Sequence, residues 1–164
     1  KNALSLLDDN FFVLYGDSYL DIDYSAIYEA YLKAKQPALM TILKNNNQWD
    51  KSNIVFENGK IQQYSKTIKS AKAKYIDYGL SVFNKKAFLD YKSDDVFDLT
   101  DILHNLVASG KMAAYEVNHR FYEIGSSQGL LETENYIIKN AKAQKIKPKP
   151  KQIKKPPSKF KYSS

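Results

Sequence analysis

The sequence contains no cysteine and no long uninterrupted apolar run. Without cysteine, the chain has no disulfide framework, no thiolate nucleophile and no cysteine-based metal cluster. No segment approaches the roughly 18 consecutive apolar residues of a membrane-spanning helix, and no charged-then-apolar signal peptide opens the chain. These absences favour a reducing compartment, so we expect a cytoplasmic location and no membrane contact.

Acidic residues are missing from the end of the chain. Residues 139–164 hold ten lysines and no Asp or Glu, whereas the rest holds 15 of the 25 Lys+Arg and all 18 Asp+Glu. The net charge of +7 therefore comes from this end, and the remaining body is slightly acidic. The same end is rich in proline and lacks apolar periodicity, so we predict a disordered Lys/Pro-rich tail over residues 141–164. Only one aromatic-bearing segment, at Phe160 and Tyr162, lies among its lysines, so no nucleic-acid binding is expected.

The body of the chain, residues 1–140, has the pattern of one α/β domain. Apolar or β-branched runs predict strands at 11–15, 38–43, 53–56, 60–64, 75–83, 113–117 and 120–124. Helical periodicity predicts helices at 24–35, 98–109 and from about 127 to 140, and Asp98 is the predicted cap of the second of them. Strands that alternate with helices indicate a Rossmann-like mixed, mostly parallel sheet with flanking helices and an inserted hairpin at Asn58-Gly59. The last helix is predicted to bury Leu130, Leu131, Ile137 and Ile138.

Two carboxylates follow predicted strands. Gly16-Asp17-Ser18 comes directly after the strand at 11–15, and Glu123 ends the strand at 120–124, just before a glycine and a helix. Ligands bind at the carboxyl ends of strands in open α/β sheets, and a glycine there allows close approach. Mg²⁺ needs only one or two protein carboxylates when phosphates and water complete its coordination. Asp17 and Glu123 can therefore hold one metal, although Gly-Asp is also a common turn and Glu123 could instead serve the helix N-terminus.

Four segments resemble, in family order, motifs of the sugar-1-phosphate nucleotidyltransferases. They are Phe12-Val13-Leu14-Tyr15-Gly16-Asp17-Ser18 (the metal-binding Gly-Asp strand), Glu57-Asn58-Gly59-Lys60-Ile61 with Tyr64-Ser65-Lys66, Ile76-Asp77-Tyr78-Gly79-Leu80-Ser81-Val82-Phe83, and Asp98-Leu99 with Phe121-Tyr122-Glu123-Ile124-Gly125-Ser126. The resemblance spans about residues 10–138. It implies a partial nucleotidyltransferase domain over residues 1–140.

The resemblance also implies roles for the metal and phosphate ligands. Asp17 would be the main Mg²⁺ ligand and a catalytic residue, and Gly16 beside it would contact the substrate. Glu123 would be the second ligand, where most of the family has an aspartate. Lys66 would be catalytic and would contact the sugar phosphate, although it could also be an exposed hairpin lysine.

The resemblance further implies the sugar contacts and the reaction. The backbone of Gly79 would meet the sugar, as would Asp77, which stands where the family has an asparagine. The substrates would be an NTP and a sugar 1-phosphate. A sugar-phosphate oxygen would attack the α-phosphorus to give an NDP-sugar and pyrophosphate, a reaction that depends on positioning and charge neutralisation.

The family's glycine-rich loop, which holds the NTP phosphates, precedes the Gly-Asp strand. All six glycines of this chain lie at Gly16 or later. We therefore expect an incomplete chain that is inactive alone. A sheet edge left exposed in such a chain would favour poor solubility or a homo-oligomer.

Two other functions remain open at this point. Asp21-Ile22-Asp23 is an Asp-x-Asp, the metal signature of nucleotide-sugar-dependent glycosyltransferases, although it also suits a helix cap. The chain could also be a non-catalytic sugar-phosphate-binding fragment. Release of pyrophosphate, of a free nucleoside diphosphate or of neither would separate the three functions.

Deletion of residues 145–164 is expected to leave the thermal midpoint of the body unchanged. The ten-lysine region repels itself and offers no apolar face to pack. Thermal melts of the full and shortened chains, followed by circular dichroism, measure this. A substantial drop in the midpoint would show that the tail packs on the domain.

Overall fold

The structure is a computed structural model, and it describes residues 2–91 and 98–145. In chain order the elements are a 3₁₀ turn (Asn2–Leu6), β1 (Asn10–Leu14), β2 (Ser18–Tyr19), α1 (Tyr24–Ala34), β3 (Ala38–Lys44), β4 (Ile54–Glu57), β5 (Lys60–Tyr64), β6 (Tyr75–Asn84), a second 3₁₀ turn (Lys85–Phe88), α2 (Leu99–Ala108), β7 (Met112–Val117), β8 (Tyr122–Glu123) and α3 (Ser127–Lys145). Helix α3 runs past the predicted end at residue 140. The predicted tail lies outside the described residues from residue 146 onward.

The main sheet has β6 at its centre. β6 pairs antiparallel with β1 and β3 and touches β4 at one residue pair, β4 pairs antiparallel with β5, and β3 pairs parallel with β7. The predicted α/β class, with a mixed sheet, flanking helices and an inserted hairpin, is confirmed. The expectation of mostly parallel pairing is wrong, since β3–β7 is the one parallel pair among the described strands. The β4–β5 pair is antiparallel because a two-residue hairpin joins its strands, whereas the parallel strands β3 and β7 are separated by a long connection that includes α2.

The core lies on both faces of the sheet. On one face Met40 and Ile42 of β3 pack in a cluster with Ile102, Leu103 and other residues of α2. On the other face the intervening β3 residues, Leu39 and Leu43, pack with α1. Every residue of β3 except its last is buried, which is the pattern of a strand covered on both faces. This double cover fixes the sheet between α1 and α2.

The first two helices begin at the predicted caps. The Asp23 side chain accepts from the N–H groups of Ser25 and Ala26 at the start of α1. Asp98 forms a capping box with Asp101 at the start of α2, which ends before a glycine in the left-handed region at position 110. Within the described part of the chain, no helix is long and apolar enough to cross a membrane.

Helix α3 packs differently from the prediction. Its apolar residues are exposed rather than buried, by the following fractions: Leu130 56%, Leu131 52%, Ile137 44% and Ile138 45%. The buried face consists of Gly129 and Thr133 instead, and the Thr133 hydroxyl donates to the Gly129 carbonyl at 2.7 Å. A Cβ at Gly129 would lie 2.4 Å from the Glu123 carbonyl oxygen, so only glycine allows this contact with β8. The periodicity of α3 correctly indicates an apolar face. The face that is buried, however, is the one with small residues, because only small residues allow the helix to approach β8 closely.

Replacement of Leu103 by alanine is expected to lower the free energy of unfolding by about 2–5 kcal/mol, because this side chain is 1% exposed. The matched control is Leu131→Ala on the exposed face of α3, for which a change within about 0.5 kcal/mol is expected. Urea denaturation of both variants measures the difference. Equal losses would show that the face of α3 that carries Leu131 is covered.

Candidate functional site

A cleft of about 440 Å³ opens beside the ends of β1 and β8. The residues that line it are Tyr15, Asp17, Ser18, Trp49, Asp50, Asn53, Tyr64, Lys66, Ile76, Asp77, Tyr78, Gly79, Phe121 and Glu123. Five residues singled out from the sequence are among them: Asp17, Lys66, Asp77, Gly79 and Glu123. Gly16 is not in this set, although both of its chain neighbours are. Side chains from distant segments of the sequence therefore meet in one place.

Strand pairing explains why the segments meet. β1 lies antiparallel to β6, so the residue after β1, Tyr15, donates its N–H to the Gly79 carbonyl at 3.0 Å. β2 pairs with β8 and sets Ser18 opposite Glu123. The Ile124 N–H then donates to the Asp17 carbonyl at 2.9 Å. The Gly-Asp turn is thus held between the centre of the main sheet and the short β2–β8 pair.

Asp17 and Glu123 flank a single glycine. A Cβ at Gly125 would lie 3.0 Å from Glu123 Oε2 and 3.6 Å from Asp17 Oδ2. Glu123 Oε2 accepts from the Gly125 N–H at 3.1 Å, and Oε1 accepts from the Ser126 hydroxyl at 2.7 Å. Glu123 therefore organises the loop that leads into α3. A carboxylate offers about four acceptor positions, so these two bonds leave Glu123 with capacity for a cation.

The donor set around this glycine fits Mg²⁺ in the company of phosphate. Residues 2–91 and 98–145 contain no group of three or more His, Cys, Asp or Glu arranged to hold a metal. The protein would supply the two hard carboxylates, Asp17 and Glu123, and a phosphate ligand with water would supply the rest. Mg²⁺ is commonly bound in this way rather than in an all-protein cage.

Asp77 ties together three parts of the cleft wall. Its Oδ2 accepts from the Tyr15 hydroxyl at 3.0 Å and from the Tyr64 hydroxyl at 3.5 Å. Its Oδ1 accepts from the Gly79 N–H at 3.0 Å, and its own N–H donates to Asn53 Oδ1 at 3.0 Å. The carboxylate thus links strands β5 and β6 with the residue that follows β1.

The electrostatics of this group follow from its burial. Burial raises the pKa of the half-buried Asp77 carboxyl, while the hydrogen bonds from Gly79, Tyr15 and Tyr64 and the charge of Lys66 act to lower it. Burial also raises the pKa of Tyr15 and of Tyr64, and the negative charge of Asp77 raises both further. Both phenols therefore stay protonated and can donate to Asp77.

Gly79 is required by geometry. Its φ is +90°, a conformation that side chains disfavour, and a Cβ there would lie 3.1 Å from Tyr15 Cδ2 and 3.3 Å from Ser18 Oγ. The β3–β6 register shifts between Met40 and Ile42, near this position. The glycine therefore lets Tyr15 pack directly on the backbone of β6.

Lys66 is exposed in the turn after β5. Of the described residues that line the cleft, it is the one basic side chain, among the carboxylates Asp17, Asp50, Asp77 and Glu123. Its ammonium group can make charge-assisted hydrogen bonds to a phosphate group.

The fold of this chain, rather than its sequence, is similar to that of known proteins. The sequence matches no protein-family model and no curated protein. Three similar solved structures are a protein from Bacillus anthracis assigned as a glucose-1-phosphate thymidylyltransferase, in complex with sucrose (TM-score 0.67, 20% identity, 87% of this chain and 57% of that one), the inositol-1-phosphate CTP transferase from T. maritima (TM-score 0.66, 20%, 86% and 60%) and HddC from Yersinia pseudotuberculosis with GMP-PN (TM-score 0.62, 18%, 83% and 59%). The chain has the fold of the sugar-1-phosphate nucleotidyltransferases. It spans 57–60% of the length of these solved chains.

Within this nucleotidyltransferase fold, the Asp-x-Asp sequence lies apart from the cleft. The Asp23 side chain caps α1, and Asp21 Oδ2 accepts from the Tyr136 hydroxyl. Neither aspartate is among the residues that line the cleft. The helix-cap interpretation of this sequence therefore holds, and the glycosyltransferase interpretation gains no support.

Sequence reasoning gave no site role to the other nine residues that line the cleft, which are Tyr15, Ser18, Trp49, Asp50, Asn53, Tyr64, Ile76, Tyr78 and Phe121. Tyr15 and Tyr64 lie within the motif segments, but nothing in the sequence assigns a role to their hydroxyl groups. Trp49 could have been identified from the sequence as a candidate site residue. It is the single tryptophan of the chain and lies in a polar run, Asn45-Asn46-Asn47-Gln48-Trp49-Asp50. Turn formation does not require an aromatic side chain, so a tryptophan in this polar loop indicates a different role.

Asp77→Asn is expected to change how stability depends on pH. A carboxyl whose pKa is raised in the folded state binds more protons there than in the unfolded state, so the free energy of unfolding falls as pH rises from the ordinary pKa of about 3.9 through the raised value. The asparagine variant lacks this titration, so its stability relative to wild type should increase over that interval. Urea denaturation at a series of pH values between 4 and 7 measures it, with Asp50→Asn as a control at an exposed carboxylate of the same cleft. Parallel curves for wild type and Asp77→Asn would contradict the prediction.

Proposed function

We propose that this chain carries the sugar-phosphate side of a sugar-1-phosphate nucleotidyltransferase. Such an enzyme makes an NDP-sugar and pyrophosphate from an NTP and a sugar 1-phosphate. The observation that carries the proposal is the meeting of Asp17, Lys66, Asp77, Gly79 and Glu123, from four separate segments, in one cleft. The fold shared with a glucose-1-phosphate thymidylyltransferase and an inositol-1-phosphate CTP transferase supports it.

The cleft wall suits the hydroxyl groups of a sugar. Asp77 already accepts three hydrogen bonds, so we infer that it acts on the sugar chiefly through its partners. The hydroxyls of Tyr15 and Tyr64 donate to Asp77 and keep lone pairs that can accept from sugar hydroxyls. Asp77 thereby contributes to hydrogen bonding with the sugar through the two tyrosines, whereas an asparagine at this position would bond to the sugar itself. Gly79 has no side chain, so the backbone next to Asp77 stays open to the sugar.

The reaction requires neutralisation of negative charge. A sugar-phosphate oxygen forms a bond to the α-phosphorus of the NTP as the bond from that phosphorus to pyrophosphate breaks. Lys66 would hold the sugar phosphate against electrostatic repulsion from the triphosphate. Mg²⁺, when bound by Asp17 and Glu123, would neutralise phosphate charge. No covalent nucleophile is needed, which agrees with a chain that lacks cysteine.

The proposal also concerns where the NTP binds. None of the described residues that line the cleft forms a glycine-rich phosphate loop, and Lys66 is their only cation. We therefore propose that the chain binds the sugar phosphate and that turnover requires residues beyond this cleft. A cytoplasmic location belongs to the same proposal.

The test of the proposal is Asp17→Asn. Calorimetric titration of the chain with a panel of sugar 1-phosphates, with and without Mg²⁺, should show Mg²⁺-enhanced binding that the variant loses. In a longer protein that carries this segment, pyrophosphate release should fall about 100-fold or more, since a principal metal contact is worth several kcal/mol in the transition state. The thermal midpoint should stay close to that of wild type, because Asp17 is exposed.

Asp90→Asn, an exposed carboxylate outside the cleft, is the matched control and should change neither binding nor turnover. Near-normal turnover of Asp17→Asn at saturating Mg²⁺ would remove Asp17 from the site. Pyrophosphate release by the 164-residue chain alone would show that it holds the triphosphate itself. Binding without pyrophosphate release in any longer form would favour a non-catalytic sugar-phosphate-binding protein.

A further inference from the structure

The loop that joins β3 to β4 is organised by buried polar side chains. Asn45 and Ser52 are 0% and 2% exposed. Asn45 Nδ2 donates to the Asp50 carbonyl at 2.6 Å and to Ser52 Oγ at 3.2 Å, and Asn45 Oδ1 accepts from the Trp49 N–H at 3.2 Å. Asn47 Oδ1 accepts from the Ser52 N–H at 2.8 Å, and the Asn47 N–H donates to Ser52 Oγ at 3.0 Å. Because buried polar groups are tolerated only when they are hydrogen-bonded, this network fixes the backbone that carries Trp49.

Arg120 holds the indole of Trp49 from one side. The guanidinium carbon lies 5.5 Å from the centroid of the Trp49 ring and 4.6 Å from that of Tyr122, both within cation–π range. The guanidinium is itself fixed by an ion pair with Glu132 at 2.7 Å and by a hydrogen bond from Nε to the Phe121 carbonyl at 3.3 Å. The indole therefore has a defined position, with one face covered.

Trp49 is nonetheless 36% exposed, and it lines the same cleft as Lys66 and Gly79. A sugar ring has a rim of hydroxyl groups and a flat face of C–H groups, and the C–H face needs an apolar partner. An aromatic ring supplies a rigid apolar surface whose negative face attracts C–H groups. Among the other described side chains of the cleft, the acids, the tyrosines and Asn53 suit the hydroxyl rim. Of the other apolar ones, Ile76 is buried and Phe121 packs edge-on against Tyr78.

We propose that Trp49 is the stacking surface for the sugar ring of a sugar phosphate bound in this cleft, and that Arg120 is a positioning residue that holds the indole there. The inference rests on the proposed function, because it assigns how the same cleft recognises its sugar. A nucleobase could also stack on an indole. The sugar is favoured because most of the other described lining side chains are carboxylates, tyrosines and an amide, which can hydrogen-bond to the several hydroxyl groups of a sugar ring.

The fluorescence of the chain reports this contact directly, since Trp49 is its only tryptophan. Titration with glucose 1-phosphate or mannose 1-phosphate should give a saturable change in emission that follows binding measured by calorimetry. Inorganic phosphate should leave the emission unchanged, because it lacks a ring. Thymidine 5′-monophosphate is the probe for base stacking and should change the emission less than the sugar phosphates do.

Variants test the energetic role. Trp49→Ala should weaken sugar-phosphate binding about tenfold, while Trp49→Phe, which keeps an aromatic face, should retain most of the affinity. Tyr24→Ala removes an aromatic side chain of similar exposure, 39%, outside the cleft and should bind as wild type does. Thermal melts check that each variant is folded. If a variant does not fold, the fluorescence titration of the wild-type chain still tests the proposal.

Each adverse outcome points to a different error. Sugar-phosphate binding with unchanged emission and normal affinity in Trp49→Ala would overturn the stacking role and leave the proposed function standing. A larger emission change with inorganic phosphate or thymidine 5′-monophosphate would also overturn it, since the indole would then respond to something other than the sugar. Absence of any sugar-phosphate binding to wild type would overturn the proposed function and this inference together.

Discussion

The antiparallel pairing of β6 with β1 and β3 is the constraint on which the rest of the structure depends. Through residues 80–84 it holds β1, and through residues 75–83 it holds β3, so the centre of the sheet is built from one ten-residue strand. Because both faces of β3 are covered, β6 cannot shift in register without moving apolar side chains out of both cores. The position of the cleft follows from this register, since Gly79 accepts a hydrogen bond from Tyr15 at the point where β1 ends.

The polar groups of the cleft satisfy one another before any ligand arrives. Asp77 is an acid in a half-buried position where ionisation is disfavoured, and three donors compensate for that cost. The same contacts restrain the two tyrosine hydroxyls, which reduces the ordering that a bound ligand would have to impose on them. Glu123 likewise has both oxygens hydrogen-bonded by the loop into α3. A site whose side chains are held in this way is prepared for ligands rather than assembled by them.

Aromatic residues connect the cleft to helix α3. Arg120 lies over the rings of Trp49 and Tyr122, and Tyr122 stacks on Tyr136 of α3 with centroids 4.3 Å apart. The Arg120–Glu132 ion pair links the same arginine to α3. Helix α3 therefore supports the cleft through a few aromatic and charged contacts and through Gly129, while most of its large apolar residues remain exposed among the described residues. The residues of α3 that support the cleft therefore lie on one side of the helix, and its exposed apolar residues lie on the other.

The sequence by itself determined what depends on near neighbours in the chain. The cap residues Asp23 and Asp98, the hairpin at Asn58-Gly59 and the approximate strand positions all follow from signals within a few residues, and the order of the motifs pointed to the fold family. Tertiary structure alone decided which strands pair and in which direction, which face of α3 is buried, and that Asp77 faces Tyr15, 62 residues away. It also decided that Trp49 meets Arg120. Such contacts depend on how whole elements pack, and propensity and periodicity fix the elements but not the surfaces that they will meet.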